Sequence, residues 1–316
     1  MGNGSLCLTR NLAGNPVWIV TLMDVRERWI TYRGAVDAWE CDQMLHMNIQ
    51  HFARRIGMAE RYLLAQFGLS SSALHGRQLH AVARREHIAF AKEFRAGCPI
   101  VGRSVPVAVD RDHQLRLQHE LINGISGDIC MTSRSEYALV DSGGVHHPWP
   151  EALVQAIDAT ASRAEPSWRR SDGDGGDGIE CGRCIVSEDD CQAGDVTREV
   201  LARLANHAGN HAGLEKGRQW EAGRLTVGSA TLHLAIERHA VMLPGTMLQI
   251  RSALTHSSGK IVHIEHHLLD AVTGRELATM AAAHVFFDVA SRKAIAVPDG
   301  LARPFSEAAA SPPALS

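Results

Sequence analysis

The ten residues from Trp39 to Asn48, WECDQMLHMN, bring together a carboxylate, an imidazole and a carboxamide. Asp42 could act as a base toward water or attack a carbonyl carbon directly. Asn48 could donate a hydrogen bond to a carbonyl oxygen that gains negative charge, and His46 could donate to that oxygen or hold Asp42 in place. Groups of this kind can hydrolyse an activated acyl compound, so Asp42, His46 and Asn48 are the candidate catalytic residues.

A structural interpretation of the same residues stays open. Asp and Asn are both common at the residue that caps a helix, because their side chains accept hydrogen bonds from free backbone N–H groups. The spacing of the three residues therefore does not by itself separate a catalytic role from a capping role.

The run is similar to the signature of 4-hydroxybenzoyl-CoA-thioesterase-type hotdog proteins, Asp-x-x-Gly-His-x-Asn, which joins the first strand to the central helix in that family. Asp42, His46 and Asn48 match the signature, whereas Leu45 stands where the family usually has glycine. The resemblance continues along the first half, including Glu93 as a further candidate carboxylate, and is weaker in the second half. It implies a hydrolase of acyl-CoA thioesters that needs no cofactor and no metal.

An internal repeat supports a two-unit organisation. The segment from Leu117 to Asp141 aligns with that from Ile264 to Asp288 at a constant offset of 147 residues and without a gap. In this alignment His119 pairs with His266. Both copies carry turn residues at the same place, in Asn123–Gly127 and Asp270–Gly274.

The elements around the candidate residues have the same predicted order in each half: a strand, a helix and then about four antiparallel strands. Apolar residues between Asn48 and Phe67 have helical spacing, and Asp195 is the expected cap of the second helix. The predicted strands of the first half are 29–39, 86–94, 100–109 and the pair within 117–141, and those of the second half are 184–187, 232–240, 246–254 and the pair within 264–288.

The fold class expected from this order is α+β, as a double hotdog in which a bent antiparallel sheet wraps a long helix in each unit. A single unit would leave a sheet edge uncovered, so the two units should pair within the chain. The expected division is an N-terminal unit at 30–160, a flexible linker at 161–180, a C-terminal unit at 181–300 and a disordered tail at 301–316.

The second copy of the motif departs from the first. In an ungapped alignment Asp190 takes the place of Asp42, but Gly194 replaces His46 and Val196 replaces Asn48. Asp190 is therefore a secondary catalytic candidate, and the second half is expected mainly to complete the fold and to wall the substrate tunnel.

The composition excludes several classes of function. A net charge of −3 over 316 residues gives no general attraction to nucleic acid. The sequence has no apolar run long enough to span a membrane and no signal-peptide pattern, so a cytoplasmic location is expected. The seven cysteines should be free thiols in a reducing compartment. Cys181 and Cys184 form a Cys-x-x-Cys pair, but an accidental spacing is favoured over a zinc site.

The leading hypothesis is hydrolysis of an acyl-CoA, for which Arg54, Arg55, Arg84 and Arg85 are candidate phosphate ligands. Two alternatives remain: a hotdog hydratase or dehydratase that acts on a CoA or carrier-protein thioester, and a non-catalytic binder of acyl thioesters. The expected partner is the acyl-CoA substrate, in an intramolecular pseudodimer that could associate further into a homo-oligomer. The acyl chain cannot be assigned from the sequence.

Overall fold

The computed structural model describes most of the chain. The described residues are 7–10, 16–19, 29–109, 114–141, 143–158, 178–192, 194–212, 214, 219–221 and 224–298. The predicted tail at 301–316 and nearly all of the predicted linker at 161–180 lie outside them.

The two halves share a first strand, a long helix and four long strands, to which each half adds short elements of its own. The N-terminal half contains β1 (Cys7–Arg10), β2 (Pro16–Ile19), β3 (Trp29–Ala35), α1 (Ile49–Gln66), α2 (Ser71–His75), β4 (Leu79–Phe90), β5 (Pro99–Val109), β6 (Leu115–Asn123), β7 (Ile129–Asp141), β8 (His146–His147) and α3 (Glu151–Asp158). The C-terminal half contains β9 (Ile179–Ile185), β10 (Cys191–Gln192), β11 (Asp195–Val196), α4 (Arg198–His211), β12 (Gln219–Glu221), β13 (Arg224–Arg238), β14 (Met247–Ser258), β15 (Ile261–Asp270) and β16 (Glu276–Asp288).

Twelve of the described strands form one antiparallel sheet, and its central ten follow the order β3-β5-β6-β7-β4-β13-β16-β15-β14-β9. The order in the second half is the reverse of the order in the first, so β4 corresponds to β13 and β3 to β9. The halves join where β4 pairs with β13, from Arg85 opposite Glu237 to Ala89 opposite His233. This pairing covers an edge that each half would otherwise expose.

Both long helices lie on the same side of this sheet and contact each other. Helix α1 buries an apolar stripe that includes Phe52, Ile56 and Leu63, as its periodicity predicted. It ends before Gly68, whose φ of 74° suits glycine. The main hydrophobic cluster draws buried residues from both halves, so the two sheets and helices share one core.

A buried ion cluster links the halves as well. Arg198, the first residue of α4, donates to the Glu60 carboxylate and to the Tyr137 hydroxyl, 2.5 and 2.6 Å away. Its Nε lies 3.0 Å from Glu86. All three partners belong to the N-terminal half and all are buried. Removing Arg198 would therefore leave two buried carboxylates without a positively charged partner.

The repeat predicted from the sequence appears as two equivalent turns. Asn123 Oδ1 accepts from the N–H groups of Ile125 and Ser126, and Asp270 Oδ1 accepts from those of Val272 and Thr273. Gly127 and Gly274 follow with φ values of 75° and 72°. The buried His119 and His266 also match, because each shares a hydrogen bond with a serine hydroxyl, Ser104 or Ser252.

Several predicted boundaries were wrong. The first strand of the second half is β9 at Ile179–Ile185, so it starts inside the predicted linker and contains Cys181 and Cys184. Strands β4 and β13 begin earlier than predicted and end before the turns at Gly97 and Gly245. Asp195 is not the cap of α4; that residue is Thr197, whose hydroxyl accepts from the Val200 N–H.

No helix among the described residues is long and apolar enough to cross a membrane. The same residues contain no group of three or more His, Cys, Asp or Glu side chains arranged to hold a metal ion.

Candidate active site

The predicted catalytic residues lie in the loop between β3 and α1, here called the motif loop (residues 41–48). A buried carboxylate anchors its start: Glu40 accepts two hydrogen bonds from Arg55 of α1, at 2.9 and 2.6 Å. The Asn48 N–H donates to the Glu40 carbonyl oxygen at 2.9 Å and so ties the two ends of the loop together. Arg55, a candidate phosphate ligand in the sequence, therefore has a structural role in this ion pair.

Asp42 organises the interior of the motif loop. Its Oδ1 accepts from the Met44 N–H at 2.8 Å and lies 3.5 Å from the His46 N–H. Its backbone N–H donates to the His46 carbonyl oxygen. Asp42 Oδ2 makes no hydrogen bond with any described residue, so one carboxylate oxygen remains available for a reacting molecule.

Leu45 stands where the family signature has glycine, and its backbone adopts a conformation that favours glycine. Its φ is 64°, in the left-handed region that favours glycine. This conformation costs strain at a leucine, and the Leu45 side chain is 72% exposed.

Asn48 caps α1, because its Oδ1 accepts from the Gln50 N–H at 3.3 Å. The capping role raised from the sequence is therefore present in the structure. It engages only the carboxamide oxygen, so the Nδ2 donor is still available. The first turn of α1 adds partial positive charge beside Asn48.

His46 and Glu93 lie together although they are distant in the sequence. The Met47 N–H donates to the Phe94 carbonyl oxygen at 2.9 Å, which brings the segment after β4 against the motif loop. His46 Nε2 is then 3.3 Å from Glu93 Oε1. Burial lowers the pKa of His46, which favours the neutral imidazole.

Arg292 completes this cluster from the C-terminal half, and sequence reasoning missed it. Its Nη2 lies 3.0 Å from His46 Nε2 and also donates to Glu93. A guanidinium can only donate, so His46 Nε2 acts as the acceptor and the imidazole proton resides on Nδ1. Arg292 has a left-handed φ of 57° and packs 4.6 Å over the Phe287 ring. Nothing local in the sequence pointed to it.

The motif loop opens onto a cavity of about 220 Å³ between the two halves, here called the first cavity. Asp42, His46, Asn48 and Glu93 all line it. The C-terminal half adds Asn206 and Asn210 of α4, residues 229–232 of β13, and His284. Its apolar lining comes from Met47, Ile49, Phe52, Phe90, Leu214 and Leu232.

Asp190 does not occupy the place of Asp42, because the second loop is one residue shorter. Asp190 accepts from the Ser187 N–H as Glu40 accepts from the Asp37 N–H. The Thr197 N–H donates to the Asp190 carbonyl oxygen as that of Asn48 does to Glu40. The ungapped alignment was therefore wrong at this point, and Asp190 is bound to Arg203 at 2.7 Å.

Backbone pairing within each loop identifies the other equivalent residues of the two loops. Cys41 pairs with Met47 in the first loop, and Cys191 pairs with Val196 in the second. Gly194, with φ 80°, therefore corresponds to Leu45. Gln192 takes the place of Asp42, Asp195 that of His46, and Thr197 that of Asn48. None of the three predicted catalytic residues is matched by its own type at the equivalent position of the second loop.

The comparisons agree with the fold. A family model described as the thioesterase-like superfamily matches residues 189–305, in the half where the sequence resemblance looked weaker. No curated protein matches the sequence.

Solved structures similar to about four fifths of the chain include three thioesterases. A putative oleoyl thioesterase from Lactobacillus plantarum has a TM-score of 0.66 at 9% identity, covering 83% of this chain and 98% of that one. An acyl-ACP thioesterase from Bacteroides thetaiotaomicron has 0.60 at 12%, covering 81% and 96%. The 12:0-ACP thioesterase from Umbellularia californica has 0.61 at 12%, covering 81% and 93%. The family match over residues 189–305 and the shared fold agree with the resemblance drawn from the sequence: the C-terminal half is similar to the thioesterase-like superfamily, and the chain has the fold of these solved thioesterases.

Proposed function

We propose that the chain is a double hotdog acyl-CoA thioesterase with one active site, in the first cavity. Its two units correspond to the predicted ranges 30–160 and 181–300, with the second extended back to Ile179, where β9 begins. The observation that carries the proposal is that Asp42, His46, Asn48 and Glu93 line one cavity whose far wall belongs to the other half.

Each residue has a role that its contacts support. Asp42 activates water or attacks the thioester carbonyl carbon through Oδ2, while Oδ1 stays bound to the Met44 N–H. Asn48 Nδ2 and the first turn of α1 stabilise the oxyanion that forms. His46 donates through Nδ1, because Arg292 occupies Nε2. The acyl group occupies the apolar part of the cavity.

Glu93 is a weaker candidate for the base. Its carboxylate already accepts a hydrogen bond from Arg292, so it is engaged in a structural ion pair. The role assigned to Glu93 and Arg292 is instead to hold the orientation and the tautomer of His46. Asp190 is assigned no catalytic role, since it is bound to Arg203 and Ser187.

The carrier of the acyl group is proposed to be CoA. Of the four arginines considered for its phosphates, Arg55 is buried against Glu40, and Arg85 is bound to Glu237 at 3.0 Å. Lys92 lines the first cavity, which none of the four arginines does, and the Nζ of its exposed side chain lies 2.7 Å from Asp128 Oδ1, so it is the better-placed cation.

The test is an assay of the purified chain with a panel of acyl-CoAs and a thiol reagent. Release of free CoA, lost on Asp42→Asn, is the expected result. Addition of water to an enoyl-CoA without thiol release would indicate a hydratase instead, and saturable binding without turnover would indicate a binder. Hydrolysis of acyl carrier protein thioesters alone would overturn the assignment of CoA.

A further inference from the structure

The second loop faces a cavity of its own, larger than the first. This second cavity has a volume of about 420 Å³ and lies between residues 192–199, helix α1 and strand β4. It occupies the position related to the first cavity by the symmetry of the two halves. The catalytic residues have no matching residue types at the equivalent positions of its loop, yet the space remains.

The two cavities differ in charge at two pairs of equivalent positions. The first cavity has an anionic side chain at one of them, and the second cavity has a cationic side chain at the other. Where the first cavity has Asp42, the second has the neutral Gln192. Counted from the caps Asn48 and Thr197, Arg61 of α1 corresponds to Asn210 of α4. A carboxylate facing a carboxamide is thus replaced by a carboxamide facing a guanidinium.

Arg61 differs from the other arginines that line the second cavity. Arg54 is near Glu199, Arg198 is bound to Glu60 and Glu86, and Arg238 is bound to Asp195. Arg61 makes no ion pair with any described residue; its Nη1 donates to the neutral Gln192 side chain. Arg61 is half-buried, and this burial lowers the pKa of its guanidinium. Helix α4 also begins beside this cavity and adds positive potential.

Apart from Arg61, these charged pairs, Gln192, Thr197 and the polar side chains of Ser71, His75 and His80, the lining is apolar. Side chains from α1, the segment after it, α2 and β4 surround the space: Leu64, Leu69, Leu74, Leu79 and Val82. A cation at one place and an apolar wall elsewhere suit a molecule that carries one anionic group on a hydrocarbon body.

We propose that the second cavity binds an apolar carboxylic acid, with its carboxylate on Arg61 and its hydrocarbon chain against the leucines. An acid of this class is what thioester hydrolysis in the first cavity would release. The binding itself does not depend on that activity. A phosphate could also bind a guanidinium, but the apolar wall favours a carboxylate on a hydrocarbon chain.

The experiment measures binding of decanoate to the full chain by calorimetry, with 1-decanol, inorganic phosphate and CoA as comparison ligands. Arg61→Gln removes the cation and keeps a polar side chain beside Gln192. Arg54→Gln is the matched control, because it makes the same change on the same helix in the same cavity at an arginine near Glu199. Gly57→Leu fills the cavity: a Cβ at Gly57 would contact only the Arg61 side chain, at 3.6 Å. Leucine also favours the helix more than glycine does.

The expected result is saturable decanoate binding that is at least tenfold weaker in Arg61→Gln, within threefold of wild type in Arg54→Gln, and lost in Gly57→Leu. Decanol should bind at least tenfold more weakly than decanoate. The proposal is overturned if decanoate does not bind, if Arg61→Gln binds it as well as wild type does, or if decanol binds equally. It is also overturned if phosphate or CoA competes with decanoate at comparable affinity. Because no turnover is measured, these outcomes are independent of whether Asp42 is catalytic.

Discussion

Replacing Asp42 by Asn tests the proposed chemistry with little change to the fold. The native Oδ1 accepts one close hydrogen bond, from the Met44 N–H at 2.8 Å, and an Asn Oδ1 can accept the same bond. The chain itself supports this interchange, because Asn123 and Asp270 make the same turn in the two halves. The free energy of unfolding should therefore change by no more than about 0.5 kcal/mol.

The loss of activity should be far larger than the loss of stability. Asn lacks the anionic Oδ2 that would act as base or nucleophile, and such groups contribute about 10²–10⁴-fold to the rate. This corresponds to about 3–5 kcal/mol of transition-state stabilisation. The assay is thiol release from the best acyl-CoA of the panel, with kcat and KM measured separately and unfolding followed in urea.

Asp270→Asn is the matched control for Asp42→Asn. It makes the same chemical change in the same type of turn, outside the lining of either cavity, and should keep full activity. If Asp42→Asn stays within threefold of the wild-type kcat/KM, Asp42 is not the reacting carboxylate, and Glu93 becomes the candidate to test.

Three further predictions concern stability. Leu45→Gly should stabilise the chain by about 0.5–1 kcal/mol in urea denaturation, because it relieves a left-handed φ at an exposed side chain. Gly194→Ala should destabilise the chain for the same reason. A Gly194→Ala variant that is more stable than wild type would contradict the argument. Arg198→Met should destabilise the chain by about 3 kcal/mol or more, because Glu60 and Glu86 stay buried without their cation; an unchanged urea midpoint would refute this. Burial, with nearby cationic side chains, lowers the pKa of His119 and His266 to about 3, so the unfolded chain binds more protons than the folded chain below about pH 6.5. Stability should then fall as pH decreases from 6.5 toward 3, by up to about 1.4 kcal/mol per pH unit for each histidine, and a free energy of unfolding that rises between pH 7 and pH 5 would contradict it.

The sequence determined the elements and much of their order. The helical spacing of α1, the constant offset between the repeats and the matching turns all depend on local patterns, which the chain keeps wherever it folds. The motif loop was located for the same reason: its chemistry lies within a few consecutive residues.

The tertiary structure decided which distant residues meet. Arg292 reaches His46 and Glu93 from the other half, and Arg198 inserts between Glu60 and Glu86, because the pairing of β4 with β13 brings the halves together. No periodicity in the sequence encodes such contacts.

The shorter second loop could be aligned correctly only from backbone hydrogen bonds. An ungapped alignment gave Asp190 the place of Asp42. In the structure the Asp190 carboxylate and carbonyl oxygen accept the same two kinds of hydrogen bond that the Glu40 carboxylate and carbonyl oxygen accept. A deletion of one residue leaves composition and spacing almost unchanged, but it changes which side chain faces the cavity. The sequence therefore determined the types of residue at each candidate site, and the three-dimensional packing of the two halves decided which of them face one another.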